Sequence, residues 1–545
     1  MVNTLPRILI AAPASGHGKT TVTIGLMAAL RRSGKVVAPG KVGPDYIDPG
    51  YHELATDRPG RNLDPFLVGP QRILPLLRHA ATTPTSADVV VIEGVMGLFD
   101  GRLGGDGFAS SAHVAALTAS PVLLVVDVRH AARTVGAVVH GMATYELGVH
   151  VAGVILNQVG SARHATEVRR AVEQTGIPVV GVLTRDAAVE APSRHLGLVP
   201  VQERPGAQAS LERLADLVAA GVDLEAVLQL AQAAPDLPAG PIWRPEHELS
   251  LPADTGVSAR SGDASDATGH CRGGAGPVVA MAAGRAFTFR YPETEELLTA
   301  AGCTVATFDP LHDDALPAGT AALYLGGGFP QVYAGELAAN ERLRAQVAQA
   351  AREGLPIYAE CAGLLYLCRE VDGRPMTGVV PATAAMSGRL TMGYRHAVAA
   401  GSTLVADPQH AVTGHEFHRT QVHFEDAVPP AWEFLPDAPS GGLDAPCAAE
   451  QAGRGRGSIG EAAPRGAAAE VARSGDLPTD GVSLDPARLG RPTVHAGYLH
   501  VHWAGHPWMA ERFAAAAHAW ARTTGSQTAR SATPGSATAG SETPG

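Results

Sequence analysis

AAPASGHGKTT, residues Ala11–Thr21, decides the fold class. An apolar strand, Arg7–Ala11, leads into it, and Thr20–Arg32 leaves it with Val22, Leu26, Met27 and Leu30 at helical spacing. A glycine-rich turn between a strand and a helix start gathers backbone N–H groups around one point, which suits a phosphate. Gly18, Lys19 and Thr20 fit such a loop, and Ser15, Gly16 and Thr21 complete its wall. Lysine would reach the terminal phosphates and the Thr20 hydroxyl would bind Mg²⁺. Pro13 replaces the first motif glycine, so this is a variant of the form SGxGKTT. The placement between strand and helix, more than the glycines, argues for a nucleotide such as ATP.

Outward from the loop, apolar strands alternate with helical segments: Val36–Pro39, Asp88–Ile92, Val122–Asp127, Val151–Leu156 and Val179–Leu183. Gly34 caps the first helix. The pattern predicts a parallel sheet covered by helices over 1–236. Residues 237–276 are rich in Pro, Gly, Ser and Asp and read as a linker. A second α/β pattern spans 277–522, with strands Val278–Met281, Thr304–Phe308, Ala321–Leu325 and Pro356–Ala359 and helices Glu293–Ala301 and Glu341–Glu353. Low-complexity sequence at about 436–486 reads as a disordered insertion, and 523–545 as a disordered tail.

A chain of 545 residues exceeds one core, and 45% hydrophobic with 17% charged residues suits soluble folding. The formal charge of −11 gives no general attraction to nucleic acid or anionic lipid. No apolar run reaches the roughly 20 residues a membrane span needs, and the phosphate loop comes too early for a cleaved signal. The five cysteines, Cys271, Cys303, Cys361, Cys368 and Cys447, form no CxxC pair. A cytoplasmic protein without a disulfide framework or zinc site is expected.

Two blocks place carboxylates after strands of the first pattern, where ligands bind in open α/β sheets. Lys41–Pro49, KVGPDYIDP, supplies Asp45 and Asp48; Ile92–Gly101, IEGVMGLFDG, supplies Glu93 and Asp100. Asn157, after a further strand, is a candidate reader of the nucleotide base. In the second half, Leu355–Leu367 reads LPIYAECAGLLYL, a strand turning sharply through Cys361 into an apolar helix. Such an elbow presents a nucleophile, and a helix N-terminus favours the thiolate. Gly326, Gly327 and Gly328 of LGGGFP can offer backbone N–H groups to an oxyanion. Gly497–Pro507, GYLHVHWAGHP, holds His500, His502 and His506 as candidate bases. Gly414–His418, GHEFH, lacks the HExxH spacing of a zinc helix, so a structural or substrate-edge role is expected.

SGHGKTT, KVGPDYIDPGYH, Asn62–Asp64 (NLD) and VIEGVMGLFDG together resemble the cobyrinic acid a,c-diamide synthase family, within the dethiobiotin-synthetase-like P-loop group. The cysteine turn, LGGGFP and YLH resemble a class I glutamine amidotransferase domain of the cobyric type. The resemblance implies two doubly wound parallel-sheet domains, P-loop NTPase-like and then amidotransferase-like. It also implies ATP- and Mg²⁺-dependent amidation of the a and c side chains of cobyrinate or hydrogenobyrinate, with glutamine as nitrogen donor. By this resemblance Asp45 and Glu93 lie near the metal, Asp48 and Asp100 near the corrinoid and the phosphorylated intermediate, and His500 activates Cys361. Many class I domains carry Glu two residues after that histidine; His502 stands there, so a Cys–His dyad without a carboxylate orienter is expected. Gln331 likewise stands where the family commonly has Glu.

The KVGPDYIDP block separates the chain from cobyric acid synthases, while a nickel-sirohydrochlorin diamide synthase is closer. A partitioning-type switch ATPase would carry an early lysine where Ala14 stands, and no cysteine elbow. Partners are expected to be small molecules, with a homodimer as an option.

Overall fold

The computed structural model describes residues 4–185, 193–194, 197–198, 200–203, 206–250, 276–436 and 477–531. Cys271, Cys447, the central part of the expected linker (251–275), most of the expected insertion (437–476) and the end of the tail (532–545) lie outside the described residues.

Seven strands form the first sheet: β1 (Arg7–Ala11), β2 (Val37–Val42), β3 (Arg61–Leu63), β4 (Val89–Glu93), β5 (Val122–Asp127), β6 (Val151–Val159) and β7 (Val179–Thr184). Their order is β3-β2-β4-β1-β5-β6-β7, parallel throughout. β1, β2 and β4 are buried along their whole length, which is why they read as continuous runs without alternation: helices cover both faces. Helix α1 (Lys19–Arg32) buries Val22, Leu26, Met27 and Leu30, as its periodicity predicts. Since β1 lies between β4 and β5, the carboxyl ends of β1, β2 and β4 open together beside the phosphate loop.

The second sheet runs Thr304–Phe308, Val278–Ala282, Thr320–Leu325, Ile357–Glu360 and Val494–Gly497, all parallel, with Val482–Leu484 antiparallel at its edge. A third, largely antiparallel sheet is built on the long strands Ala382–Ala399 and Ala411–Phe424. The short strand His500–Val501 pairs with the second of these and sets His415 opposite His500.

Three boundaries differ from the sequence reading. Residues 237–250 are a strap that starts on the first domain and reaches the second: Leu237 and Trp243 are buried, Trp243 N–H donates to Pro75 O at 3.1 Å, Arg78 donates to Pro238 O, and Ser250 N–H donates to the Glu511 carboxylate. The end of the supposed insertion contains strands Thr479–Asp480 and Val482–Leu484. The last helix, Trp508–Ser531, extends into the supposed tail. The two α/β units share one apolar core, which joins Leu9 and Leu67 to Tyr291, Trp503 and Phe513. Across that seam, Arg61 of β3 pairs with Glu293 at 2.7 Å and with Glu296 at 2.5 Å.

Candidate active site

Gly16 and Gly18 take φ of 85° and 84°, which only glycine adopts without strain. A Cβ on Gly18 would lie 2.3 Å from Asn157 Nδ2. That amide donates to His17 O at 3.0 Å, and His17 Nδ1 accepts from Asp127 N–H at 2.9 Å. Asn157 therefore braces the phosphate loop from β6. Ser15 and Gly16 are exposed at the rim, and Lys19, Thr20 and Thr21 are half-buried.

Behind the loop the acidic blocks meet. Glu93, fully buried at the end of β4, lies 3.4 Å from Lys19 Nζ, 3.0 Å from Lys41 Nζ and 2.7 Å from His52 Nε2, and accepts the Thr20 hydroxyl. Asp48 lies 2.5 Å from Lys41 Nζ and 3.3 Å from Thr20 Oγ1. Asp45 is turned toward its own backbone: Oδ1 accepts from the N–H groups of Ile47 and Asp48, both at 2.9 Å, while Oδ2 stays 3.8 Å from Lys41 Nζ. It is thus Asp48, expected toward the corrinoid, that stands with Thr20 and Glu93. Asp100 is exposed and caps its own turn, accepting from Gly97 N–H at 3.0 Å.

The charges are interdependent. Burial raises the Asp48 carboxyl, and Asp45 and Glu93 add to this, to about 8 against the pull of Lys41. Burial would raise Glu93 too, but Lys41, Lys19 and His52 outweigh it and hold it well below the carboxylate range. Burial and Lys41 both lower Lys19. The oxygens of Thr20, Asp48 and Glu93 are hard donors of the kind that could hold Mg²⁺ alongside phosphate oxygens and water. Among the described residues no group of three or more His, Cys, Asp or Glu is arranged to hold a metal ion.

In the second domain Cys361 sits on the elbow at φ 46° and ψ −94°, a strained conformation costing about 1–3 kcal/mol. Its N–H is anchored to Gly497 O at 2.7 Å. The helix closes tightly on the sheet, since a Cβ on Gly363 would lie 2.3 Å from Leu325 O. His500 is buried beside the thiol, its Nε2 without a hydrogen-bond partner of ordinary geometry. Burial would lower His500, but the Cys361 thiol and the Glu360 carboxylate outweigh it and push it up to about 10. Glu360 Oε2 lies 3.7 Å from His500 Nδ1, and Oε1 accepts from Tyr358 OH at 2.6 Å and Val501 N–H at 3.1 Å. A carboxylate therefore faces the base where a bare dyad was expected, and it belongs to the residue before the cysteine. His502 instead faces Glu293 at 3.7 Å, and His506 Nε2 is occupied by Thr413 N–H at 3.0 Å.

Of the glycine loop, Gly327 N–H is engaged by Phe289 O at 3.1 Å, so the expectation of unobstructed donors does not hold at this position. The GHEFH block is a strand, so its side chains alternate: His415 stacks on His500, while Glu416 and His418 meet each other at 3.4 Å. Lys41, His52 and Glu360 escaped the sequence reading. Lys41 opens the KVGPDYIDP block and Glu360 adjoins Cys361, so their positions were signals; their partners were not visible.

Residues 8–199 match the family model described as "CobQ/CobB/MinD/ParA nucleotide binding domain", and residues 278–449 match "CobB/CobQ-like glutamine amidotransferase domain". The chain is 52% identical to a hydrogenobyrinate a,c-diamide synthase of Thermobifida fusca, over 94% of this chain and 97% of that one. Identity is 47% to the same enzyme of Streptomyces coelicolor, over 93% and 97%. A cobyrinate a,c-diamide synthase of a Synechococcus strain is 35% identical over 93% and 98%. Among the described residues no helix is long and apolar enough to cross a membrane.

Proposed function

The chain belongs to the family of hydrogenobyrinate and cobyrinate a,c-diamide synthases, and from that we propose that it amidates the a and c side-chain carboxylates of hydrogenobyrinate, using ATP and glutamine. A carboxylate is a poor acyl donor because its leaving group would be oxide. Phosphoryl transfer from ATP makes an acyl phosphate, from which ammonia displaces phosphate. Lys19 and the loop N–H groups hold the phosphates in line with the incoming carboxylate. Glu93 orients Lys19, Lys41 and Thr20, and Lys41 keeps Asp48 and Glu93 from repelling each other. Mg²⁺ held by Thr20, Asp48 and Glu93 would neutralise phosphate charge during transfer.

In the second domain the Cys361 sulfur attacks the glutamine side-chain amide, His500 delivers the proton that departing ammonia needs, and water hydrolyses the thioester to glutamate. Glu360 holds the imidazolium. The observation that carries this reading is the convergence of Lys19, Thr20, Asp48 and Glu93 at one sheet edge, in the same chain as the Cys361–His500–Glu360 elbow. Hydrogenobyrinate is preferred over its cobalt-bearing counterpart because the more similar relatives named above act on it.

The test is an assay with Mg-ATP, glutamine and either ring, read by mass spectrometry. Diamide formed from hydrogenobyrinate, with ADP and glutamate in step, is expected. ATP turnover indifferent to both rings but stimulated by DNA would sink the proposal; diamide from the cobalt ring alone would reassign the substrate.

A further inference from the structure

Tyr46 belongs to the nucleotide-binding domain, between Asp45 and Asp48, yet its side chain lies in the glutaminase site. Its ring stacks on Phe289 with centroids 4.6 Å apart and lies 5.1 Å from the His500 ring. Its hydroxyl bonds Tyr291 OH at 2.8 Å and meets His415 Nε2. His415 in turn lies parallel to His500, at 5.0 Å and 10°. Phe289 exchanges both backbone hydrogen bonds with Gly327, at 3.0 and 3.1 Å, and those bonds keep the Gly327 N–H away from an oxyanion. One residue of the ATP-handling domain thus touches the base directly and the oxyanion loop through a single neighbour.

Its other end is tied to the activation site. Asp45 Oδ1 binds the N–H groups of Ile47 and Asp48, so 45–48 is one closed turn. That turn is held by Lys41, which Asp48 shares with Glu93. Phosphates and a carboxylate substrate arriving at Lys19 and Thr20 compete for the same charges and so act on the turn that carries Tyr46.

We propose that Tyr46 is a positioning residue coupling the two half-reactions, an inference that rests on the two-site reading above. Through its stack on Phe289, Tyr46 keeps the Gly327 N–H engaged, an arrangement that restrains glutamine hydrolysis. Occupation of the site shifts the 45–48 turn, releases Phe289 and frees Gly327 for the oxyanion. The chemistry gives this a purpose, because ammonia released without an acyl phosphate is protonated and lost.

The test measures glutamate release by the full-length protein with and without Mg-ATP plus hydrogenobyrinate, alongside diamide formation. Wild type is expected to show stimulation of about tenfold or more, with one glutamate per amide. Tyr46→Ala should raise the unstimulated rate, cut the stimulation to below roughly threefold and release surplus glutamate. Tyr46→Phe, which keeps the stack but loses the hydroxyl contacts, should fall between. Wild-type stimulation and stoichiometry in both variants would overturn the coupling. So would loss of glutamate release by Tyr46→Ala under both conditions with Tyr46→Phe unchanged, since Tyr46 would then only fill the seam. A wild type that neither hydrolyses glutamine nor forms amide would instead overturn the two-site reading.

Discussion

Glu360 Oε2 lies 3.7 Å from His500 Nδ1, so the residue immediately before the nucleophile carries the carboxylate that faces the base. Both are buried, and the carboxylate stabilises the imidazolium. Replacing Glu360 with Gln removes that stabilisation and leaves only the Cys361 thiol to hold the imidazolium, so the His500 value must fall below about 10. The glutamine-driven rate is expected to drop by roughly 10²-fold, and its alkaline limb to move to lower pH. A pH–rate profile of glutamate release checks this; an unmoved limb would show that Glu360 does not act on His500. The sign for stability is consistent. A histidine raised in the fold contributes stability present below its unfolded value and lost as pH rises through about 10.

Cys361→Ser separates the two chemistries. The glutamine-driven rate should fall by about 10³-fold or more, because a serine at this elbow has no comparable nucleophile. Amidation driven by added ammonium salt should continue, since the Lys19–Glu93 cluster is untouched. Loss of both activities would contradict the division of labour.

Gly327→Ala tests the glycine loop by volume. A Cβ there would sit 2.5 Å from His500 Cε1 and 2.9 Å from the Phe289 Cβ and ring. Overpacking of this kind costs about 1–3 kcal/mol, and here the displaced group is the base itself. Glutamate release should fall steeply while ammonia-driven amidation is retained, as parallel assays would show.

Lys41→Met removes the buried cation between Asp48 and Glu93, which lie 2.5 and 3.0 Å from its Nζ. The fold then holds two buried carboxylates short of a counter-charge, a loss of about 3–5 kcal/mol. Denaturant unfolding should register it. Both glutamine- and ammonia-driven amidation should fail, because both need the activation site.

Interface chemistry gives a further expectation. Arg61→Met leaves Glu293 and Glu296 without their shared guanidinium across the seam. The apolar core shared by the two units remains, so the expected effect is a lower thermal midpoint, by several degrees, with the two domains unfolding less cooperatively in calorimetry.

The amino-acid sequence by itself determined the two α/β units, the phosphate loop and the cysteine elbow. Those features are local: a strand, a turn and a helix are specified by residues within a few positions of one another, and β1 or α1 reads the same alone as in the fold. The long hairpin of Ala382–Ala399 and Ala411–Phe424 was not legible, because its side chains are mixed in burial and show no steady alternation. The order Thr479–Leu484 brings to a low-complexity stretch was hidden in the same way, although Asp480 accepts from the N–H groups of Tyr498 and Leu499, just before His500, both at 3.0 Å. Only the tertiary structure decided which carboxylate serves which cation. Lys41 meets Glu93 across 52 residues, and Tyr46 meets His415 across 369. Sheet order and domain docking make such contacts, and charge at close range in a buried site depends on distance in space and not on distance along the chain.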